Sequence, residues 1–583
     1  MTKSVLQVER AKYQPKMPAV LKQQVIAVDG EKTESVADRN EIKALFPNTY
    51  GLPVVSFQST AETRSAPAVN VGVILSGGQA PGGHNVIAGL FDGIKKANKE
   101  SRLFGFLLGP GGLLKGNAVE LTSEIIDEYR NTGGFDIIGS DRTKLIQNAG
   151  HFERALKVLN ALKVDGTEYK INALVIIGGD DSNTNACVLA EYFKSIGSDI
   201  QVIGCPKTID GDLKNEQIET SFGFDTACKV YSEVIGNIQR DCNSAKKYWH
   251  FIKLMGRSAS HIALECALQT HPNFCIVSEE IEEKNYTLDG IVEQIVELVI
   301  TRNLAGKHFG TALIPEGLIE FIPEIKKLIK ELNQILSTMN IDPNKIKKSE
   351  LIDEISKRLS TESAELYSKR LPESVARQLA LDRDSHGNVQ VSLIETEKLL
   401  ADKVSSLLKT KKDEELDALK EPGDEKEIKR IKSKYSFSPQ THFFGYEGRC
   451  AAPSNYDADY CYSLGYTAAS LIGAQKTGYM SSVRNTTKSA DKWLAGGIPI
   501  TMMMNIEEKP ITDSNGKLSL EKVPVIQKAL VKLNGAPFRE YAALREYWAL
   551  NDDYVYPGPI QFYGPAELTD QPTMTLHLEQ KKK

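Results

Sequence analysis

The chain has 583 residues, 41% of them hydrophobic and 25% charged, and a formal net charge of −5. That length allows several domains and a large core, and that charge excludes nucleic acid and anionic membranes as expected partners. No apolar run approaches the roughly 20 residues that span a bilayer, and the first residues lack the apolar stretch of a signal peptide. Eight scattered cysteines without a Cys-x-x-Cys pair fit a reducing compartment and argue against a zinc site or a disulfide framework. The cytoplasm is the expected location.

Residues 1–68 carry no strong periodicity and read as an N-terminal extension. Val69 to Ser76 is a near-continuous apolar run, as in a parallel sheet covered on both faces. It ends in Gly77-Gly78-Gln79-Ala80-Pro81-Gly82-Gly83-His84-Asn85, and Asn85 is a candidate cap for a helix bearing Ile87, Leu90, Phe91 and Ile94. Strand, glycine turn and helix start form an anion cradle, because backbone N–H groups can approach a phosphate there. The spacing does not fit Gly-x-Gly-x-x-Gly. Leu75 to Gln79 spells the Leu-Ser-Gly-Gly-Gln of ABC-type ATPases, but the chain has no Gly-x-x-x-x-Gly-Lys-Ser/Thr loop to hold a nucleotide.

A second strand, Leu103 to Leu108, precedes another glycine turn, and Arg142 follows on a polar loop. Ile171 to Ile177 is a buried strand ending in Gly178-Gly179-Asp180-Asp181-Ser182, with Ser182 a candidate cap. Two carboxylates at a helix start suit a hard cation carrying phosphates, although acids also simply complement a helix dipole. Gln201 to Cys205 leads into Pro206-Lys207-Thr208-Ile209-Asp210-Gly211-Asp212-Leu213, which places an ammonium and two carboxylates at one strand end, where open α/β sheets keep their chemistry. Thr220 to Ala227 opens a helix. Tyr248 to Leu254 is a strand ending in Met255-Gly256-Arg257, with Ser258 a candidate cap. Phe274 to Ser278 and Thr311 to Ile314 are further strands, the last ending in Pro315-Glu316-Gly317. This repeated strand–turn–helix order predicts an α/β fold with largely parallel sheets. From about 320 to 440, apolar residues at helical spacing alternate with Lys and Glu, predicting a helical insertion with solvated faces and no chemistry of its own. Motif-like sequence returns at Phe443-Phe444-Gly445-Tyr446-Glu447-Gly448-Arg449, and residues after 500 read as a C-terminal extension.

Taken in this order, Gly-Gly-x-x-Pro-Gly-x-x-Asn, Gly-Gly-Asp-Asp-Ser, Pro-Lys-Thr-Ile-Asp-Gly-Asp, Met-Gly-Arg, Pro-Glu-Gly and Tyr-Glu-Gly-Arg resemble the phosphofructokinase family, and within it the long pyrophosphate-dependent branch. The resemblance implies reversible transfer of a phosphoryl group from pyrophosphate to the 1-hydroxyl of fructose 6-phosphate, with Mg2+ as cofactor. It implies two α/β lobes with the active site in the cleft, plus a helical insertion and terminal extensions. The donor lobe would comprise 69–221 and 448–500, and the sugar-phosphate lobe 222–319 and 441–447. The insertion would be 320–440, and the extensions 1–68 and 501–583.

Carried over position by position, Asp210 matches the general base and Asp180 the carboxylate that organises magnesium, with Asp212 a helper. Gly77 and Gly78 match backbone donors to the transferring phosphate, and Arg142 and Arg257 match cations near the donor and the transition state. Thr208, Ile209, Met255, Gly256, Glu316, Tyr446, Glu447, Gly448 and Arg449 match sugar-phosphate contacts. Two positions decide the donor. ATP-using relatives carry glycine where Asp181 stands, and Lys207 can hold the free end of pyrophosphate as a point charge. Lys247 and Tyr248 match residues that reach a neighbour's site, so a homodimer or higher homo-oligomer is implied, while Gln440 departs from the arginine of the ATP branch. The arginines of that branch's effector site have no counterpart after Asn85. The alternatives are an ATP-dependent enzyme, against which Asp181 and Lys207 speak, and a non-catalytic regulatory subunit, against which Asp180, Asp210 and Arg257 speak.

Overall fold

Strands that are apolar at every position must be covered on both faces, and two sheets here show how. In the computed structural model, residues 4–61, 66–147, 149–338, 348–381, 389, 393–419, 424–512, 518–560 and 565–581 are described. A ten-stranded sheet has at its centre five parallel strands, in the order Tyr479–Arg484, Gln201–Thr208, Ala173–Gly178, Asn70–Leu75 and Arg102–Phe106. Along Asn70–Leu75, Val71, Val73 and Leu75 enter one core cluster and Ile74 the cluster on the opposite face, the two-residue alternation of a pleated strand. Helices Gly83–Ala97 and Asn455–Gly473 cover the first face and Asp180–Ser195 the second. The first two helices approach so closely that a Cβ on Gly89 would lie 2.1 Å from the Tyr462 carbonyl oxygen.

The second sheet is four-stranded and wholly parallel, in the order Phe274–Cys275, Gly310–Pro315, Trp249–Leu254, Pro439–Phe444. The chain reaches it through helix Phe224–Ala245 and leaves it through the short helix Tyr446–Arg449 into Asn455–Gly473. The insertion is helical where described, with Pro323–Thr338, Glu373–Leu381 and Thr396–Asp417 packed into one apolar cluster with the second sheet. It is tied down by Lys253, whose ammonium donates to the Ile394 carbonyl at 2.9 Å and pairs with Glu397 at 3.3 Å.

The terminal segments carry structure that the apolar pattern did not mark. Val25–Lys32 and Pro53–Ser59 pair antiparallel and add to the large sheet beside Leu494–Pro499. After residue 500 the chain forms the antiparallel hairpin Met504–Thr512/Leu518–Ile526. Helix Ala536–Leu550 then docks on the second lobe, where Tyr541 donates to the Cys275 carbonyl at 2.7 Å and Arg545 pairs with Glu280 at 2.7 Å.

Three expected helix caps stand elsewhere. Gly82, at φ 101°, rather than Asn85, precedes helix Gly83–Ala97, because the Asn85 amide is drawn inward to Asn131 at 2.8 Å and the Ala458 carbonyl at 3.3 Å. Gly179 rather than Ser182 precedes Asp180–Ser195, and Ser182 donates instead to the Ser76 hydroxyl at 2.8 Å. Ser260 rather than Ser258 precedes His261–Thr270.

Candidate active site

The carboxyl ends of the parallel strands in both sheets face one cleft of about 560 Å3. The large sheet supplies Gly77 and Gly78 after Asn70–Leu75, Asp180 and Asp181 after Ala173–Gly178, and Lys207, Thr208, Asp210 and Asp212 at the end of Gln201–Thr208. The second sheet supplies Met255 and Arg257 after Trp249–Leu254, Glu316 after Gly310–Pro315, and Tyr446 and Arg449 after Pro439–Phe444. Arg142 completes the set from the loop before residue 145. Ligands of open α/β sheets bind at such strand ends.

Asp210 is 7% exposed and its backbone N–H donates to the Thr208 hydroxyl at 3.1 Å. Its Oδ1 is buried without a hydrogen-bond partner, with the Arg449 guanidinium 3.8 Å away. A carboxyl oxygen so placed is an acceptor ready for an incoming O–H. Arg449 spans the cleft, donating to the Met255 sulfur at 3.0 Å and to the Gln79 carbonyl at 3.2 Å. A Cβ on Gly78 would lie 2.3 Å from Arg449 Nη1, so glycine is required there by close approach. Glu316 accepts the Gly256 N–H at 2.7 Å, and burial raises its carboxyl above the usual range.

Lys207 is 5% exposed and its ammonium donates to the Gly78 carbonyl at 2.8 Å. Burial and the Arg449 charge push its pKa down to about 7, against the pull of Asp210 and Asp180. Burial, with Asp210 and Asp180 as like charges, pushes Asp212 up to about 7, and Lys528 partly offsets this. The cleft therefore holds an excess of negative charge at its floor that cations from both lobes compensate.

Some expected residues stand apart from the cleft. Ile209 is in the core at 1% exposure. Gly448 is buried where a Cβ would lie 2.6 Å from the Tyr231 ring, while Glu447 is exposed. Gly77 offers less than its motif implies, because its N–H already donates to the Asp141 carbonyl at 2.9 Å. Lys247 and Tyr248 lie before the first residue of Trp249–Leu254, the strand end opposite Met255, with the ammonium 4.9 Å from the ring centroid. They do not line this chain's own cleft. Gln440 is exposed on the adjacent strand, in register with His250.

Other residues reach the cleft without having been assigned to it. Thr143, Lys144 and Ser258 stand next to or within a few residues of Arg142 and Arg257, so proximity in sequence was their signal. Val389 and Leu393 bring the helical insertion to the cleft wall with apolar side chains. Lys528, from the C-terminal extension, lies 3.9 Å from Asp180 Oδ2 and donates to the Ser258 hydroxyl at 2.8 Å. No local pattern announced it. Among the described residues no helix is long and apolar enough to cross a membrane, and no three metal-ligating side chains converge.

Comparisons with known proteins bear on this geometry. A family model described as Phosphofructokinase matches residues 70–360. A pyrophosphate--fructose 6-phosphate 1-phosphotransferase of Porphyromonas gingivalis is 60% identical over 579 residues, covering 99% of each chain. One of Entamoeba histolytica is 49% identical over 587 residues, covering 100% of each. A crystal structure of a pyrophosphate-dependent phosphofructokinase from Nitrosospira multiformis is similar at a TM-score of 0.50 and 16% identity, over 78% of this chain and 89% of that one. At that identity the likeness speaks for the fold alone.

Proposed function

The chain belongs to the phosphofructokinase family, and from that premise we propose that it transfers a phosphoryl group from pyrophosphate to the 1-hydroxyl of fructose 6-phosphate. The reaction gives fructose 1,6-bisphosphate and phosphate and runs in either direction. The relatives named for pyrophosphate as donor match this chain almost end to end. The observation that carries the reading is the buried Lys207 ammonium on the cleft floor, three residues before Asp210, whose Oδ1 has no hydrogen-bond partner. One group suits the phosphoryl donor and the other the acceptor hydroxyl.

Phosphoryl transfer needs in-line positioning and charge neutralisation more than covalent chemistry. Asp210 takes the proton of the sugar 1-hydroxyl as that oxygen attacks phosphorus, and the departing phosphate leaves toward Lys207 and Arg142. The N–H engaged at Gly77 leaves Gly78 as the backbone donor to the transferring group. Arg257 faces the charge that develops between the lobes. Met255, Glu316, Tyr446 and Arg449 hold the sugar phosphate from the second lobe, with Thr208 on the facing strand. Gly256 and Gly448 act through the fit of the backbone around them, and Ile209 and Glu447 by flanking the motifs.

Asp180 fits a magnesium ion that arrives with pyrophosphate. Its carboxylate is one-quarter exposed at the cleft, and Mg2+ is commonly held by one or two carboxylates plus substrate phosphates. When bound, the ion neutralises phosphate charge. Asp181 repels the additional phosphate of a nucleotide. Lys247 and Tyr248 act in a neighbouring copy, a role supported by their position at the far end of the strand. Cytoplasmic location and a place in sugar-phosphate breakdown or synthesis complete the reading, supported by eight unpaired cysteines of the kind reducing compartments keep.

The test is a comparison of donors on the purified full-length chain. Fructose 6-phosphate, magnesium and pyrophosphate are expected to give turnover, and ATP in place of pyrophosphate is not. Turnover with ATP alone would show that Asp181 and Lys207 do not set the donor.

A further inference from the structure

Residues 527–531 run as a strap between the two lobes and line a pocket beside the cleft. Gln527 N–H donates to the Met503 carbonyl at 2.8 Å, and Ala529 N–H donates to the Asp212 carbonyl at 2.7 Å. These two bonds fasten the strap to the large lobe. On the other side His261 Nε2 donates to the Ala529 carbonyl at 2.7 Å, and Val531 N–H donates to the Glu279 carboxylate at 3.0 Å. His261 and Glu279 belong to the second lobe. A segment held from both sides at alternate residues has little freedom to reorient. The side chain between the pins is Lys528. Its ammonium lies between Asp180 of one lobe, at 3.9 Å, and Ser258 of the other, at 2.8 Å.

We propose that Lys528 belongs to the pyrophosphate site: the strap delivers a fixed ammonium into the cleft, where it binds a phosphate oxygen of the donor and neutralises its charge. The inference rests on the function proposed above and adds to it a residue far outside the stretch that matches the family model, 70–360. Two features support it. Ser258 supplies the ammonium with only a neutral partner, and Asp180 lies beyond the usual hydrogen-bond distance, so donor capacity remains. The strap is pinned by residues of both lobes, so the ammonium is held where the two lobes meet, beside Asp180.

The experiment uses the full-length protein with Lys528→Met and Lys528→Arg. Rates are measured with pyrophosphate varied at saturating fructose 6-phosphate and the reverse. Binding of methylene diphosphonate with magnesium is measured separately by calorimetry. For Lys528→Met, the KM for pyrophosphate and the Kd for the diphosphonate are expected to rise together by about tenfold or more, the scale of a lost charge-assisted hydrogen bond. The KM for fructose 6-phosphate stays within about twofold of wild type, the margin left when a site's other contacts are untouched. Lys528→Arg recovers part of the affinity. An unchanged diphosphonate Kd in Lys528→Met overturns the inference while leaving pyrophosphate as the donor. Equal losses for both substrates, with a lowered Tm in both variants, also overturn it, because Lys528 would then only fasten the strap. Wild type that turns over no pyrophosphate refutes the underlying reading instead, and is told apart because it needs no variant.

Discussion

Lys207 and Asp212 share a buried floor and are pushed in opposite directions by burial, each to about 7. The ordinary values are near 10.5 for the lysine and 3.8 for the aspartate, so each titrates where the other does. For Asp212 the folded pKa is raised. Its contribution to stability is fully present below the unfolded value of 3.8 and is lost as pH rises through about 7. Asp212→Asn carries no such loss. Its Tm is therefore expected to exceed that of wild type at pH 8, with the gap closing as pH falls toward 4; a constant gap would show that burial is not the cause. For Lys207 the folded pKa is depressed, so at pH 8 the free site holds mostly neutral amine. Pyrophosphate beside it favours the charged form. Binding at pH 8 is expected to take up a proton, read by calorimetry as a dependence of the binding heat on the buffer's ionisation enthalpy. The uptake disappears in Lys207→Met.

At the scale of elements, helix Asp180–Ser195 presents two carboxylates in its first turn directly after Gly179. Asp181 lines the cleft, and the role proposed for it is like-charge repulsion of a donor carrying a third phosphate. Asp181→Gly is expected to lower pyrophosphate turnover and to give measurable turnover with ATP; no gain with ATP would move donor choice to another residue. This strand end was legible in the sequence because glycines, acids and a buried apolar run occur within a few residues of one another, and each is a local signal. The caps were not legible. Asn85 and Ser182 have capping side chains, but their partners, Asn131 and Ser76, lie 46 and 106 residues away. The strand Val25–Lys32 was hidden for a different reason. It is half-buried over its first four residues, Val25-Ile26-Ala27-Val28, and exposed over its last four, so at this edge the apolar run stops halfway along the strand. Lys528 was least legible of all, since its place depends on Met503, Asp212, His261 and Glu279, none of which shares a motif with it.

For the whole molecule, the open question is whether one chain makes a complete site. The cleft gathers Asp210, Lys207, Arg257 and Arg449 from both lobes of a single chain. Lys247 and Tyr248 are carried to the opposite end of Trp249–Leu254, six residues of strand away, or about 20 Å at the usual rise per residue. A side chain at that distance is out of reach of its own chain's cleft, so a role in catalysis would have to be in another copy's site. In a two-fold dimer each chain would give its Lys247 and Tyr248 to its partner and receive the same pair in return. The prediction is complementation. Asp210→Ala alone lacks the base in both sites, and the double variant Lys247→Ala/Tyr248→Ala alone lacks the contributed pair in both. In a mixed dimer, the site with native Asp210 belongs to the chain whose partner still has native Lys247 and Tyr248, so one of its two sites is whole. Random reassembly of equal amounts makes half the dimers mixed, so activity should return to about a quarter of wild type for a two-fold dimer. The check is activity after mixing, dissociation and reassociation, with each variant treated alone as the control. Recovery near that level would show that the site is shared. Activity no higher than the controls, with mixed dimers demonstrated by native mass spectrometry, would show that each chain works alone and that Lys247 and Tyr248 belong to the surface.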